Sequence, residues 1–124
     1  MTTNETEAVA FAKPGGEACG AARTRPIDLA HLARQTLGDR AVEEEVLSLF
    51  TQQAATVCEK IGAALPDERR RLAHGLKGSA LGVGAFAVAE AASAVETDPA
   101  SKPFVKALSR RVEEVREFIA AISR

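Results

Sequence analysis

The 124-residue chain contains no tryptophan and no tyrosine, and it has only two cysteines and two histidines. Five phenylalanines leave little aromatic surface for stacking on nucleic-acid bases. The 16 basic and 17 acidic residues give a net charge of −1, so no global field attracts nucleic acid or an anionic membrane surface. We therefore expect neither nucleic acid nor a membrane as a partner.

The two cysteines and the apolar runs bear on the compartment. Cys19 and Cys58 are too few and too far apart in sequence for a disulfide framework or a zinc site. The apolar stretch at residues 8–12 is shorter than a signal-peptide core, and no run approaches the length of a membrane span. These features favour a cytoplasmic protein without a metal site.

Residues 1–25 show no sustained periodicity, contain Pro14-Gly15-Gly16, and are predicted to be a flexible N-terminal tail. Residues 26–124 are predicted to form a single helical domain. Apolar spacings of three and four predict helices over about 28–37, 39–65, 66–84, 85–97 and from 101 onwards. The predicted buried face of the second helix consists of Val42, Val46, Leu49, Phe50, Val57, Cys58, Ile61 and Leu65.

The fold class follows from this pattern. No segment alternates as a half-buried strand would, and the short connections require neighbouring helices to run antiparallel. We predict an all-α antiparallel four-helix bundle, with the additional short N-terminal helix lying across one end.

The third predicted helix presents one histidine to solvent. At about 100° per residue, four positions lie opposite His74 and predict a core stripe. These positions are Leu72, Leu76, Ser79 and Val83. His74 therefore faces away from the core.

The surface around His74 is basic and carries one leucine. Within about 60° of its direction lie Arg70, Arg71, Lys77, Gly78 and Leu81. This face suits an anionic group. For the two arginines, the alternative is a solvated face with local ion pairs to the preceding acidic residues.

Three glycines on the same half of the helix, Gly75, Gly78 and Gly82, are costly. Together they lower helix stability by roughly 2 to 3 kcal/mol relative to alanine. Their presence in an alanine-rich chain indicates that side chains are excluded so that another molecule can approach the imidazole. Close packing against a neighbouring helix is the alternative, weak for Gly78 but reasonable for Gly82. Gly84 is predicted to be the C-terminal cap.

The string Ala73-His74-Gly75-Leu76-Lys77-Gly78-Ser79-Ala80, followed by Gly84-Ala85 and by Glu90 and Glu96, resembles the histidine-containing phosphotransfer (HPt) domain. The resemblance extends from the first short helix to the end of the chain. It implies that His74 is the phosphoacceptor, that Lys77 helps hold the phosphoryl charge, and that Gly78 leaves room for a partner. The implied partners are receiver domains of response regulators and hybrid histidine kinases, whose aspartates exchange phosphoryl groups with the histidine.

The residues can perform that chemistry. A neutral imidazole is a competent nucleophile at neutral pH, and Lys77 with Arg70 or Arg71 can supply positive charge around the phosphoryl oxygens. We expect no cofactor in this chain and expect magnesium from the receiver partner. No ATP-binding glycine-rich loop is present, so the chain is expected to be a phosphocarrier and not a kinase.

The remaining candidate residues receive lesser roles. Five residues are predicted to join Gly78 in partner docking: Arg70, Arg71, Gly75, Leu81 and Gly82. His31 is expected on the polar face or at an end of the first helix, and the glutamates at 43–45 and 113–114 are expected on the surface.

Two other functions remain open. A non-catalytic adaptor would bind receivers without turnover. The phosphoacceptor domain of a histidine kinase also carries a helical histidine, but there an acidic residue typically follows it, with a proline a few places later. Here Gly75 follows, and the next proline is Pro99. We expect a monomer, with a homodimer through the last helix as the alternative.

Overall fold

Residues 25–123 are described by a computed structural model. In chain order the helices are α1 (Leu29–Thr36), α2 (Arg40–Ile61), α3 (Pro66–Val83), α4 (Phe86–Thr97) and α5 (Lys102–Ile122). The described residues include no strand, and α2 to α5 form the bundle, which confirms the predicted fold class. The predicted flexible tail lies, except for Arg25, outside the described residues. None of these helices is both long enough and apolar enough to cross a membrane.

The helix boundaries arise from local chemistry. Asp28, Asp39 and Ser101 each precede a helix, and each side chain accepts a hydrogen bond from a backbone N–H in the first turn. Pro66 begins α3, where its missing N–H costs nothing because that donor has no partner within the helix. Aspartate, serine and proline at these positions are typical of helix starts.

Gly84 ends α3 and attaches α1 to the bundle. Its φ is +86°, and its carbonyl accepts a 2.9 Å hydrogen bond from the backbone N–H of Asp28. A Cβ at this position would lie 2.9 Å from the Asp28 carbonyl oxygen. Gly84 is therefore both a left-handed cap and a point of close backbone approach. Two buried side chains, Ile27 and Leu32, complete the attachment.

Arg69 ties together the opposite end of the bundle. Its Nε and Nη2 donate to the carbonyls of Ile61 and Gly62 at 2.9 and 2.8 Å, where α2 ends. Its Nη1 donates to the carbonyl of Pro99 at 3.0 Å, in the turn between α4 and α5. The guanidinium thus supplies three donors to carbonyls at helix ends and turns, a role that no pattern in the sequence predicts.

The buried stripe of α3 differs from the prediction by about one position. Ala73, Leu76, Ala80 and Val83 are buried, whereas Leu72 and Ser79 are only partly buried. Alanines let α3 approach α4, whose Ala89 and Ala92 are also buried, more closely than leucines would. The shift leaves His74 on the solvent side.

The buried face of α2 is also partly different. Leu47, Phe50, Ala54, Val57 and Ile61 are its buried residues, so the prediction missed Leu47 and Ala54. Val42 and Leu49 are exposed, and Leu65 lies beyond the helix end with 77% of its surface accessible. The helix stops at Ile61 because the chain turns there and Arg69 binds the freed carbonyls.

Candidate functional site

His74 lies near the middle of α3 with its ring in solvent. Its side chain is 73% exposed, while Ala73 and Leu76 beside it are completely buried. Burial of these neighbours fixes the rotation of α3 about its axis, so the imidazole is held outward by the core packing. The structure places His74 where the sequence predicts.

The ring is oriented by Glu96, in the last turn of α4. His74 Nδ1 lies 2.7 Å from Glu96 Oε2, and Lys77 Nζ lies 3.1 Å from Oε1. The hydrogen bond with His74 and then that with Lys77 hold the pKa of Glu96 below its ordinary value. The carboxylate is ionised at neutral pH and can only accept. The Nδ1 atom therefore carries the proton of this hydrogen bond, and in the neutral tautomer that results the free lone pair is on Nε2.

Arg70 and Arg71 are engaged in local ion pairs. Arg70 Nη1 lies 3.1 Å from Asp67, and Arg71 Nη2 contacts Glu68. This is the alternative arrangement that the sequence left open for the two arginines. Exposed pairs of this kind contribute between zero and about 1 kcal/mol, so either arginine can exchange its partner at little cost.

The three glycines of the histidine face form a bare strip. Apart from its chain neighbours and the nearby backbone of α3 itself, a Cβ added at Gly75, Gly78 or Gly82 would meet no atom of the described residues within 4 Å. Close packing against a neighbouring helix, the alternative interpretation of Gly82, is therefore wrong within residues 25–123. The strip is open to an approaching molecule, and Leu81 beside it is 45% exposed.

A groove continues this surface along α3 and α4. It has a volume of about 620 Å³ and is lined by both apolar and charged side chains. The lining residues are Arg25, Lys77, Leu81, Phe86, Ala87, Ala89, Glu90 and Ser93. Lys77 lines the groove and also pairs with Glu96, which binds the His74 ring. A molecule bound in the groove would therefore lie close to the imidazole.

His31 lies in the first turn of α1, at an end of the helix as expected, but its ring is not on a polar surface. It is partly buried, and its ring packs edge-on against Phe86 with centroids 5.2 Å apart. Its Nε2 is buried without a hydrogen-bond partner. The close approach of α1 at Gly84 turns this ring toward the bundle. Among residues 25–123, no group of three or more histidine, cysteine or acidic residues could hold a metal ion.

Glu96 is the site residue that sequence reasoning missed. Glu96 belongs to the sequence pattern that resembles the HPt domain, but that pattern assigns it no role. The turn between α3 and α4 indicates that Glu96 pairs with His74, because the two residues are equally far from Ala85 in sequence. Residues equidistant from a tight helical turn come to lie opposite each other on the two helices.

The sequence profile described as Hpt domain matches residues 45–123, most of the chain. The chain belongs to the Hpt domain family. Searches of curated proteins and of solved structures gave no significant match. Hpt domains serve in histidine phosphotransfer within phosphorelays and interact with receiver domains, so this is the general role of the present Hpt domain. The matched range includes the whole of α3 and α4.

Proposed function

We propose that this Hpt domain accepts a phosphoryl group on His74 from the aspartate of one receiver domain and passes it to another. One observation supports this proposal above the others: a solvent-exposed imidazole has its Nδ1 bound to an ionised carboxylate, which leaves Nε2 free. The Nε2 atom is then the nucleophile. Receiver domains of response regulators and of hybrid histidine kinases are the proposed partners.

The surrounding residues support an in-line displacement at phosphorus. Nε2 attacks the phosphorus of the aspartyl phosphate, and the receiver's carboxylate leaves with the electron pair of the broken P–O bond. Lys77 lies one turn beyond His74 and helps neutralise the phosphoryl oxygens. We propose that magnesium comes with the receiver and that this chain supplies no cofactor.

Docking is assigned to the bare strip and the adjoining groove. Gly75, Gly78 and Gly82 leave space beside the ring, and Leu81 offers an apolar contact in the lining of the groove. Arg70 and Arg71 can release their local partners to acidic groups on a receiver.

Phosphoryl transfer provides the direct test. The purified chain, His74→Gln and His31→Gln are incubated with a panel of radiolabelled phospho-receiver domains. Transferred label is then examined for the acid lability and alkali stability of phosphohistidine. We expect label on the wild type and on His31→Gln, and none on His74→Gln. Persistent labelling of His74→Gln would refute the assignment of the phosphoacceptor.

The same experiment separates the alternative functions. Receiver binding without label would indicate a non-catalytic adaptor. Label acquired from a kinase catalytic domain and ATP, but from no receiver, would indicate the phosphoacceptor domain of a histidine kinase. Circular dichroism of each variant controls for loss of the helical fold.

The docking assignment is tested with matched glycine variants. Gly78→Leu places a side chain in the open strip, whereas Gly62→Leu places one at the end of α2, also in open space. We expect Gly78→Leu to slow transfer by about tenfold or more, equivalent to about 1.4 kcal/mol, and Gly62→Leu to leave the rate unchanged. Equal rates for the two variants would count against docking at the strip.

A further inference from the structure

Glu96 joins the reacting histidine to the cation next to it. One carboxylate oxygen lies 2.7 Å from His74 Nδ1, and the other lies 3.1 Å from Lys77 Nζ. The side chain is 21% exposed, and Oε1 is shielded from solvent. The carboxylate is held by one hydrogen bond at Oε2 and by an ion-pair contact with Lys77 at Oε1, which makes no regular hydrogen bond. These two contacts favour the same carboxylate position when the ring changes charge.

The charge of the ring does change during the proposed reaction. Formation of the Nε2–P bond converts an imidazole that already carries Nδ1–H into a cation. When the phosphoryl group leaves, the N–P electron pair returns to Nε2, and the ring is released as neutral imidazole. Loss of the Nδ1 proton beforehand would make the leaving group an imidazolate anion, which is a far stronger base. The Nδ1 proton therefore controls how readily the group is donated.

The charged groups facing the ring come from the two helices that form the site. The cations on α3 are Arg70, Arg71 and Lys77, and the first two are paired with Asp67 and Glu68. From α4, Glu96 has the only carboxylate of the described residues within ion-pair distance of His74. Cations disfavour a protonated ring and the carboxylate favours it, so Glu96 is the group that offsets them.

We propose that Glu96 is a positioning residue that keeps the Nδ1 proton on phosphorylated His74 and thereby maintains the domain as a phosphoryl donor. This inference rests on the proposed function for its biological meaning. Its central physical claim concerns the phosphorylated ring alone. An adjacent opposite charge moves a titration midpoint by about one to three pH units, and exposure of His74 places the effect near the lower end.

The ring can be titrated without any receiver. Wild type, Glu96→Gln and Glu113→Gln are phosphorylated with phosphoramidate, which transfers its phosphoryl group to Nε2 and releases ammonia. The ³¹P chemical shift is then followed against pH. Glutamine can still accept the Nδ1–H bond but has no charge. Glu113 pairs with Arg116 on α5, so Glu113→Gln removes one charge elsewhere.

We expect the midpoint of Glu96→Gln to fall by about one pH unit and that of Glu113→Gln to stay at the wild-type value. Donation from Glu96→Gln to an acceptor receiver should then decline at a lower pH than donation from wild type. A midpoint for Glu96→Gln within a few tenths of a unit of wild type would overturn the proposal. If that variant loses its helical signal, Glu96→Asp replaces it. The shorter side chain of aspartate should also lower the midpoint of the titration. An unchanged midpoint for Glu96→Asp would likewise overturn the proposal.

Failure of this inference is distinguishable from failure of the proposed function. If the ³¹P midpoint of Glu96→Gln equals that of wild type and transfer from receivers is normal, only the proposed role of Glu96 is refuted. A shifted titration with no transfer from any receiver would leave the electrostatic role intact and remove the phosphorelay assignment.

Discussion

Substitution of Gly84 by alanine tests the junction between α1 and the rest of the bundle. Gly84 has a φ of +86°, a conformation that costs an L-residue with a Cβ about 1 to 2 kcal/mol. The added Cβ would lie 2.9 Å from the Asp28 carbonyl oxygen and 3.3 Å from His31 Cδ2, so α1 must move. This movement weakens the 2.9 Å hydrogen bond from Asp28 N–H to the Gly84 carbonyl, which is worth about 1 kcal/mol.

Together these effects predict that Gly84→Ala lowers the free energy of unfolding by about 2 to 3 kcal/mol. For a domain of this size, the melting temperature should fall by about 10 to 20 °C. Urea denaturation and a thermal melt measure both quantities. Gly78→Ala is the matched control, since its Cβ would meet open space inside a regular helix, and it should gain up to about 1 kcal/mol. Equal stability of Gly84→Ala and wild type would refute the reasoning.

Three further stability predictions concern the core, the Arg69 contacts and the site. Leu76 is fully buried, so Leu76→Ala should lose about 2 to 5 kcal/mol in urea denaturation. Arg69→Ala should lose about 1 to 3 kcal/mol, whereas the surface variant Arg71→Ala should lose less than about 1; equal losses would contradict the assigned contacts. Contact with His74 lowers the pKa of Glu96, so its stabilisation is complete above the ordinary glutamate range and is lost as pH falls through the folded-state value. Glu96→Gln should show a shallower acid decline in melting temperature; an unchanged decline would exclude this contribution.

The helix order and the caps could be predicted because they depend on short stretches of sequence. Asp39 and Pro66 mark helix starts, and Gly84 marks a helix end, by chemistry that acts over a few residues. The outward direction of His74 also followed from periodicity, because a shift of one position in the buried stripe changes its direction only moderately.

The details that depend on contacts between helices could not be predicted in the same way. Burial of Ala73 in place of Leu72 follows from the closeness of α3 and α4, which periodicity does not encode. The pairing of Glu96 with His74 requires the register of two helices across a turn. The inward position of His31 depends on how α1 crosses the end of the bundle.

The paired charges on the histidine face have a consequence for recognition at a distance. Arg70, Arg71 and Lys77 are each matched by an acid, so the unloaded surface projects little net field beyond the Debye length of about 8 to 10 Å. A phosphoryl group with up to about two negative charges on a ring that becomes cationic adds a net charge of about −1 at one exposed point. The phosphorylated domain therefore has a different long-range electrostatic field from the unphosphorylated domain. A partner can distinguish the two forms before the surfaces touch.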